Sequence, residues 1–183
     1  MSFLSSGVSA PDRYSPTAIA LHWLLAILIP GMVGLGWYML TIEETPTGPW
    51  YFGLHKSIGI AVGVVVVLRL VWRLGHRPAP LPISVPSWQV RASKVSHLLL
   101  YACMFAMPII GFGGALFSSE GIAFFGVTIP FRVMPDKVIS EVLFSVHAAV
   151  AWVLVSLVAL HVLAALKHRF IAKDGVFQRM WFS

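Results

Sequence analysis

The chain has 183 residues, of which 58% are hydrophobic and only 11% are charged, with a formal net charge of +6. A soluble domain has roughly 45–50% apolar and 25% charged residues, so this composition excludes an ordinary soluble protein and indicates a membrane protein. The single cysteine, Cys103, excludes an intrachain disulfide, a cysteine-built iron–sulfur centre and a C-x-x-C-H attachment of c-type haem. We attribute the positive charge to membrane topology and anionic lipid, since no separate basic domain suggests nucleic acid.

Four segments are apolar for long enough to cross a hydrocarbon core about 30 Å thick as helices. They cover about residues 16–40, 53–74, 95–117 and 138–166. The predicted fold is therefore all-α, a four-helix transmembrane bundle that occupies residues 1–183 as a single membrane domain. Ser15 and Pro16 predict the N-cap and first turn of the first helix. That helix is expected to be retained, because it is too long for a signal peptide and no A-x-A-type cleavage site follows it.

Lysine and arginine are distributed unevenly between the two sides of the predicted bundle. Three lie on one side, namely Lys56, Arg132 and Lys137, and the other ten lie in the N-terminal segment, the second connection and the C-terminal tail. The positive-inside rule then places both termini in the cytoplasm. The second connection, residues 77–88, carries four prolines and predicts a cytoplasmic linker. Residues 118–137 mix aromatic and turn residues and are expected to lie on the opposite membrane surface.

Two histidines of the fourth helix, His147 and His161, stand fourteen residues apart. That interval rises about 21 Å and returns the second side chain to within about 40° of the first, so both lie on one helix face at two depths. The same interval separates His55 from Arg69 in the second helix, which runs parallel to the fourth. If the two helices face each other, His55 lies level with His147. His22, near the cytoplasmic start of the first helix, can reach the depth of His161.

Histidines inside a membrane are paired, buried or ligating, because an ionisable group facing hydrocarbon is costly. A lone histidine is more often bound to a carbonyl or a water, but two matched pairs favour ligation. Haem b takes two imidazoles from opposite sides, whereas zinc prefers four ligands at one level. Gly59, one turn from His55, is expected to make room for a porphyrin. Arg69 suits either a haem propionate or a snorkelling interface position, and Arg73 leans toward the latter.

These residues lie within a series of short motifs. The motifs are I-A-L-H-W at 19–23, L-H-K-S-I-G at 54–59, L-R-L-V-W-R-L at 68–74, S-H-L-L-L-Y at 96–101, P-I-I-G at 108–111, F-G-V-T-I-P at 125–130 and A-K-D at 172–174. In their order and spacing, they resemble the bacterial cytochrome b561 family, whose members are four-helix, di-haem b proteins of the cytoplasmic (inner) membrane. The resemblance covers about residues 14–174, nearly the whole chain.

The resemblance implies two bis-histidine haems b, one held by His55 with His147 and one by His22 with His161. Such haems favour electron transfer over oxygen binding, because both axial positions are filled. Part of the family is similar to superoxide oxidases, which pass electrons from periplasmic superoxide through both haems to ubiquinone. Residues with candidate roles in that activity are Lys56 for attracting superoxide, and His168 and His97 for binding quinone, with His168 as its proton donor. For both histidines a plain interfacial position is the alternative.

Two other functions remain open from the sequence. One is a cytochrome b anchor subunit that carries electrons between a partner dehydrogenase and quinone. The other is a histidine-lined ion or metal transporter, which predicts a hydrated path and no haem absorption. The lack of an extended extramembrane docking element favours a stand-alone oxidoreductase, and the sequence identifies no protein partner.

Overall fold

Four long helices dominate the part of the chain that the structure describes. They are α1 (Pro16–Thr41), α2 (Gly48–Gly75), α3 (Ser87–Phe117) and α4 (Lys137–Lys167). The structure is a computed structural model that describes residues 13–76, 79–130 and 133–182. By length and composition, all four helices can cross a membrane. The predicted four-helix transmembrane bundle is confirmed.

Two of the helices begin earlier than the apolar segments do. α2 begins at Gly48 rather than residue 53, with a proline in its first turn, where the missing N–H costs no helical hydrogen bond. α3 begins at Ser87 rather than residue 95, directly after Pro86. Residues 87–94, which form the first turns of α3, are mostly polar. The apolar segment therefore indicates only the part of α3 that lies within the hydrocarbon. The start of α1 is as predicted, since the Ser15 hydroxyl accepts a hydrogen bond from the backbone N–H of Ala18.

A short β-hairpin between α3 and α4 departs from the all-α prediction. Strands β1 (Ile122–Phe124) and β2 (Val127–Ile129) pair antiparallel, with Ile122 opposite Ile129. The two loop residues, Phe125 and Gly126, both have positive φ, as a type I′ turn requires. The hairpin docks on α2 because the backbone N–H of Phe125 donates to the Ser57 hydroxyl at 2.9 Å.

The described ends of the chain meet on the opposite face of the bundle. After α4, the chain forms a π-helical turn (His168–Ala172) and a 3-10 helix (Phe177–Met180). The N–H of Tyr14 donates to the carbonyl of Arg179, and the indole N–H of Trp23 donates to the carbonyl of Met180. We call this face the terminal face, and the other the hairpin face.

The buried Arg179 side chain joins the tail to the linker between α2 and α3. Its guanidinium group donates to the carbonyls of Ala79 and Pro80, at 2.6 and 3.1 Å. Because the same residue's carbonyl accepts from Tyr14, the tail connects the start of α1 with that linker. Three segments of the terminal face are therefore held together.

The helices pack as a chain of neighbours, α1 on α2, α2 on α3 and α3 on α4, whereas α4 has few close backbone approaches to α1 or α2. Side chains bridge that gap. The central apolar cluster draws on all four helices and comprises Leu25, Val62, Val66, Leu100, Met104 and Leu154. Many large apolar side chains outside the cluster are exposed, as expected for a surface in contact with lipid.

Candidate functional site

On the hairpin side of the central cluster, His55 of α2 faces His147 of α4. Their ring centres are 6.3 Å apart, with an angle of 75° between the ring planes. His147 Nδ1 lies 3.1 Å from the carbonyl oxygen of Met107. A carbonyl can only accept, so Nδ1 carries the proton and Nε2 keeps a free lone pair. His55 Nδ1 is buried without a hydrogen-bond partner among the described residues. The Nδ1 hydrogen bond thus fixes the His147 ring and leaves Nε2 as the nitrogen able to bind a metal.

Two glycines bring the backbones of α1 and α3 against these rings. A Cβ added at Gly36 would lie 3.2 Å from Cε1 of His55, and one at Gly111 would lie 3.0 Å from Cε1 of His147. Any side chain at either position would press on the ring. The predicted gap at Gly59 has a different neighbour, because a Cβ there would meet only the methyl of Met32, at 3.6 Å.

The sequence contains a signal for both glycines in the fourteen-residue interval. Gly36 follows His22 by fourteen residues, and Gly111 follows His97 by fourteen residues. The same interval separates His55 from Arg69 in α2 and His147 from His161 in α4. Since α1 and α3 run opposite to α2 and α4, the glycines fall level with the histidines that begin the other two intervals.

On the terminal side, His22 of α1 faces His161 of α4, with ring centres 6.1 Å apart. His97 of α3 also lies beside His161, with ring centres 5.7 Å apart. Arg69 of α2 completes this layer, since its Nη2 lies 3.0 Å from Nδ1 of His22. Both predicted histidine pairs are therefore brought together, and His97 lies beside the second pair.

Sequence comparison identifies the family. The family model described as prokaryotic cytochrome b561 matches residues 13–183. The chain belongs to the prokaryotic cytochrome b561 family. It is 35% identical over 180 residues to cytochrome b561 homolog 2 of Escherichia coli (strain K12), covering 96% of this chain and 94% of that protein. Cytochrome b561 homolog 1 of the same strain is 29% identical over 92% of this chain and 97% of its own. "Probable superoxide oxidase CybB" of Yersinia pestis is 27% identical over 92% and 95%.

As a member of the prokaryotic cytochrome b561 family, the chain is a bacterial membrane cytochrome b that transfers electrons. Membership of the family implies that it binds haem b. The histidine layers fit this cofactor. A metal held at about 2 Å by two opposite imidazole nitrogens separates the ring centres by about 6 Å, close to both observed distances. In the described parts of the chain, no group of three or more His, Cys, Asp or Glu side chains is placed to hold a metal ion. Each layer thus holds two facing imidazoles whose separation fits a metal between them.

Lys56, the residue expected to attract superoxide, forms an ion pair. Its ammonium group lies 2.9 Å from a carboxylate oxygen of Glu120 and 3.4 Å from the carbonyl of Gly121. The side chain is only 20% exposed, because the loop before the hairpin covers it. On the same side, Lys137 pairs with Glu141 at 3.7 Å. Arg132, the third cation expected there, lies outside the described residues.

His168 is the first residue of the π-helical turn and is held by an acidic partner. Its Nδ1 lies 2.6 Å from Oδ2 of Asp174, whose Oδ1 accepts from the N–H of Val176. Both side chains are largely buried, with 15% and 11% exposed. Asp174 belongs to the A-K-D motif, but the sequence alone assigned it no role. Single π-helical turns are frequent at functional sites.

Proposed function

We propose that this cytochrome is a di-haem membrane oxidoreductase that carries electrons from a periplasmic donor, superoxide, to ubiquinone. His55 with His147 would hold one haem b, and His22 with His161 the other. The observation that carries the proposal is the presence of two facing imidazole pairs with nearly equal ring separations, 6.3 and 6.1 Å. The uneven lysine and arginine distribution supports an orientation in the bacterial inner membrane with the terminal face in the cytoplasm.

The haems would supply one-electron chemistry, taking one electron from each of two superoxide ions and delivering both to a quinone that also binds two protons. The chain's part is to hold the four rings and to guide the protons. The Met107 carbonyl fixes the His147 ring by accepting from Nδ1, which leaves Nε2 free to bind the haem iron. Asp174 fixes His168 in the same way.

We assign the quinone site to the terminal face, near His161 and His168. A quinone that becomes quinol needs protons from water, and His168 stands where α4 leaves the bundle on that face. With Nδ1 held by Asp174, the ring can take up a proton on Nε2 and donate it to a quinone oxygen. His97 borders this region because it contacts the His161 ring.

Superoxide as the donor is supported by the likeness to the Yersinia pestis protein and by the position of Lys56 beside His55. An anion is attracted by positive potential, and the Lys56 charge is balanced by Glu120. We therefore propose that the approach of superoxide competes with this ion pair.

The test begins with the absorption spectrum and the pyridine haemochrome of the purified protein. Two low-spin haems b per chain are expected. Stopped-flow mixing of the oxidised protein with superoxide should then reduce both haems, and added ubiquinone should reoxidise them. Haem absorption without reduction by superoxide would favour the anchor-subunit function. A protein that binds no haem would contradict the proposal and favour a transporter.

A further inference from the structure

We propose that a cavity on the terminal face binds the phosphate group of an anionic phospholipid through Arg13, the Ser15 hydroxyl and His76. The cavity has a volume of about 90 Å³ and lies between the start of α1, the end of α2, the linker that follows and the C-terminal tail. A single water needs about 10–15 Å³ of such a cavity, so a phosphate group has room here. The residues that line it belong to neither histidine layer, and the proposal does not depend on the proposed electron transfer.

The Ser15 hydroxyl offers a hydrogen-bond donor to this cavity. Two N–H groups already donate to its oxygen, the backbone N–H of Ala18 at 3.3 Å and the indole N–H of Trp72 at 2.9 Å. A hydroxyl oxygen has two lone pairs and one proton, so both acceptor positions are occupied and only the O–H can bind a further group. No described residue accepts this proton, and Ser15 lines the cavity. The hydroxyl therefore suits a ligand that only accepts hydrogen bonds, as a phosphate diester does.

Trp72 also fixes the ring of His76 at the cavity. The two rings are stacked, with centres 4.0 Å apart and an angle of 5° between their planes. His76 Nδ1 lies 3.1 Å from the carbonyl oxygen of Trp72, which can only accept, so Nδ1 carries the proton. Nε2 remains for a ligand, and a second proton on it makes the ring a cation with a donor to spare. Ser15 and His76 are thus both held by Trp72.

Arg13 supplies a permanent positive charge to the site. It lines the cavity with an exposed side chain, and no carboxylate in the described parts of the chain forms an ion pair with it. A guanidinium group can give a phosphate two parallel hydrogen bonds, which makes arginine well suited to this ligand. Arg179 lines the cavity as well, but its guanidinium donates to two linker carbonyls and so holds the wall of the site in place.

The position of the cavity favours a lipid over free inorganic phosphate. It lies where α1 begins and α2 ends, at the edge of the apolar parts of two neighbouring helices. Val71 and Leu74, in the last turns of α2, are 62% and 68% exposed, as expected for side chains that contact acyl chains. A headgroup at this level would place its phosphate in the cavity while its acyl chains stay against the helices. The ten lysines and arginines on this side would attract an anionic lipid in particular.

The experiment measures binding of phosphatidylglycerol to the delipidated full-length protein by native mass spectrometry, with phosphatidylcholine as the lipid without net charge. The variants are Arg13→Gln, Ser15→Asp and His76→Gln. Aspartate is as good an N-cap as serine, so Ser15→Asp keeps the start of α1 but puts a negative charge into the site. Arg13→Gln should weaken phosphatidylglycerol binding about fivefold, as expected for one basic residue near anionic lipid. His76→Gln should also weaken it, and Ser15→Asp should weaken it most.

Two further variants are controls. Ser15→Thr keeps both the cap and the hydroxyl. Arg91→Gln removes a different exposed arginine of the terminal face, at the start of α3. Both should bind phosphatidylglycerol as the unmodified protein does. Circular dichroism checks that each variant keeps its helices, and Arg13→Gln, which changes an exposed side chain, tests the site even if another variant unfolds.

Three results would overturn the inference. Equal weakening by Arg13→Gln and Arg91→Gln would mean that the whole face attracts anionic lipid and that the cavity has no special part. Equally tight binding of phosphatidylcholine and phosphatidylglycerol would mean that the acyl chains, and not the charge of the headgroup, are recognised. Displacement of the lipid by an excess of inorganic phosphate, at constant ionic strength, would identify free phosphate as the ligand.

Discussion

The Gly111→Ala variant tests the hairpin-side histidine pair directly. Its Cβ would lie 3.0 Å from Cε1 and 3.1 Å from Nδ1 of His147. Ordinary carbon contacts are about 3.5–4.0 Å, so the ring must move by about 0.5 Å or more. Such overpacking costs about 1–3 kcal/mol. The movement also strains the hydrogen bond from Nδ1 to Met107, which is itself worth about 1 kcal/mol.

A cost of about 1–3 kcal/mol at the ligand corresponds to roughly 5- to 150-fold weaker binding at that site. Haem per chain should therefore fall from two toward one, with the haem held by His22 and His161 retained. Pyridine haemochrome analysis and redox titration measure this loss. Gly34→Ala is the matched control, since a Cβ at Gly34 meets nothing within 4 Å. Equal haem content and spectra in the two variants would refute the reasoning.

Three further predictions concern the other residues of the proposed pathway. Replacing His55 or His22 by Ala should each leave one haem per chain, but a different one, as judged by redox titration; loss of the same haem would contradict the pairing. His168→Ala should slow haem reoxidation by ubiquinone about a hundredfold while both haems stay bound, and unchanged stopped-flow kinetics would return His168 to an interfacial position. Glu120→Gln should raise the rate of reduction by superoxide about twofold at low salt, since removing one charge near the path of an anion changes its energy by about 0.5 kcal/mol in water. Lys56→Gln should lower the rate, both effects should vanish at high salt, and a salt-independent change would argue against an electrostatic cause.

The helices and the histidine pairs could be predicted because their signals are periodic and local. The length of each apolar segment indicates which part of the helix spans the hydrocarbon. The fourteen-residue interval indicates which side chains share a helix face and at what depth they lie. The same interval leads from His22 to Gly36 in the first helix and from His97 to Gly111 in the third, so the two glycines are also predictable from the sequence.

The remaining features depend on contacts between distant parts of the chain. Lys56 forms an ion pair with Glu120, and the Arg179 guanidinium donates a hydrogen bond to the carbonyl of Ala79. The partners are far apart in the sequence, so no local pattern predicts either contact. The hairpin strands have three residues each, too few for alternation to stand out. Helix ends beyond the hydrocarbon are polar, so α3 extends through residues that carry no apolar signal.

The two layers differ in charge, and the difference bears on the direction of electron transfer. The hairpin layer places glycines against its histidines, and its nearest cation is balanced by Glu120. In the terminal layer, Arg69 of α2 lies level with His161 of α4. This layer therefore contains a fixed positive charge. Positive charge stabilises the reduced form of a nearby haem, because reduction removes one positive charge from the iron. In the proposed di-haem protein, this asymmetry would favour electron movement from the hairpin face toward the terminal face, where the proposed quinone and proton sites lie.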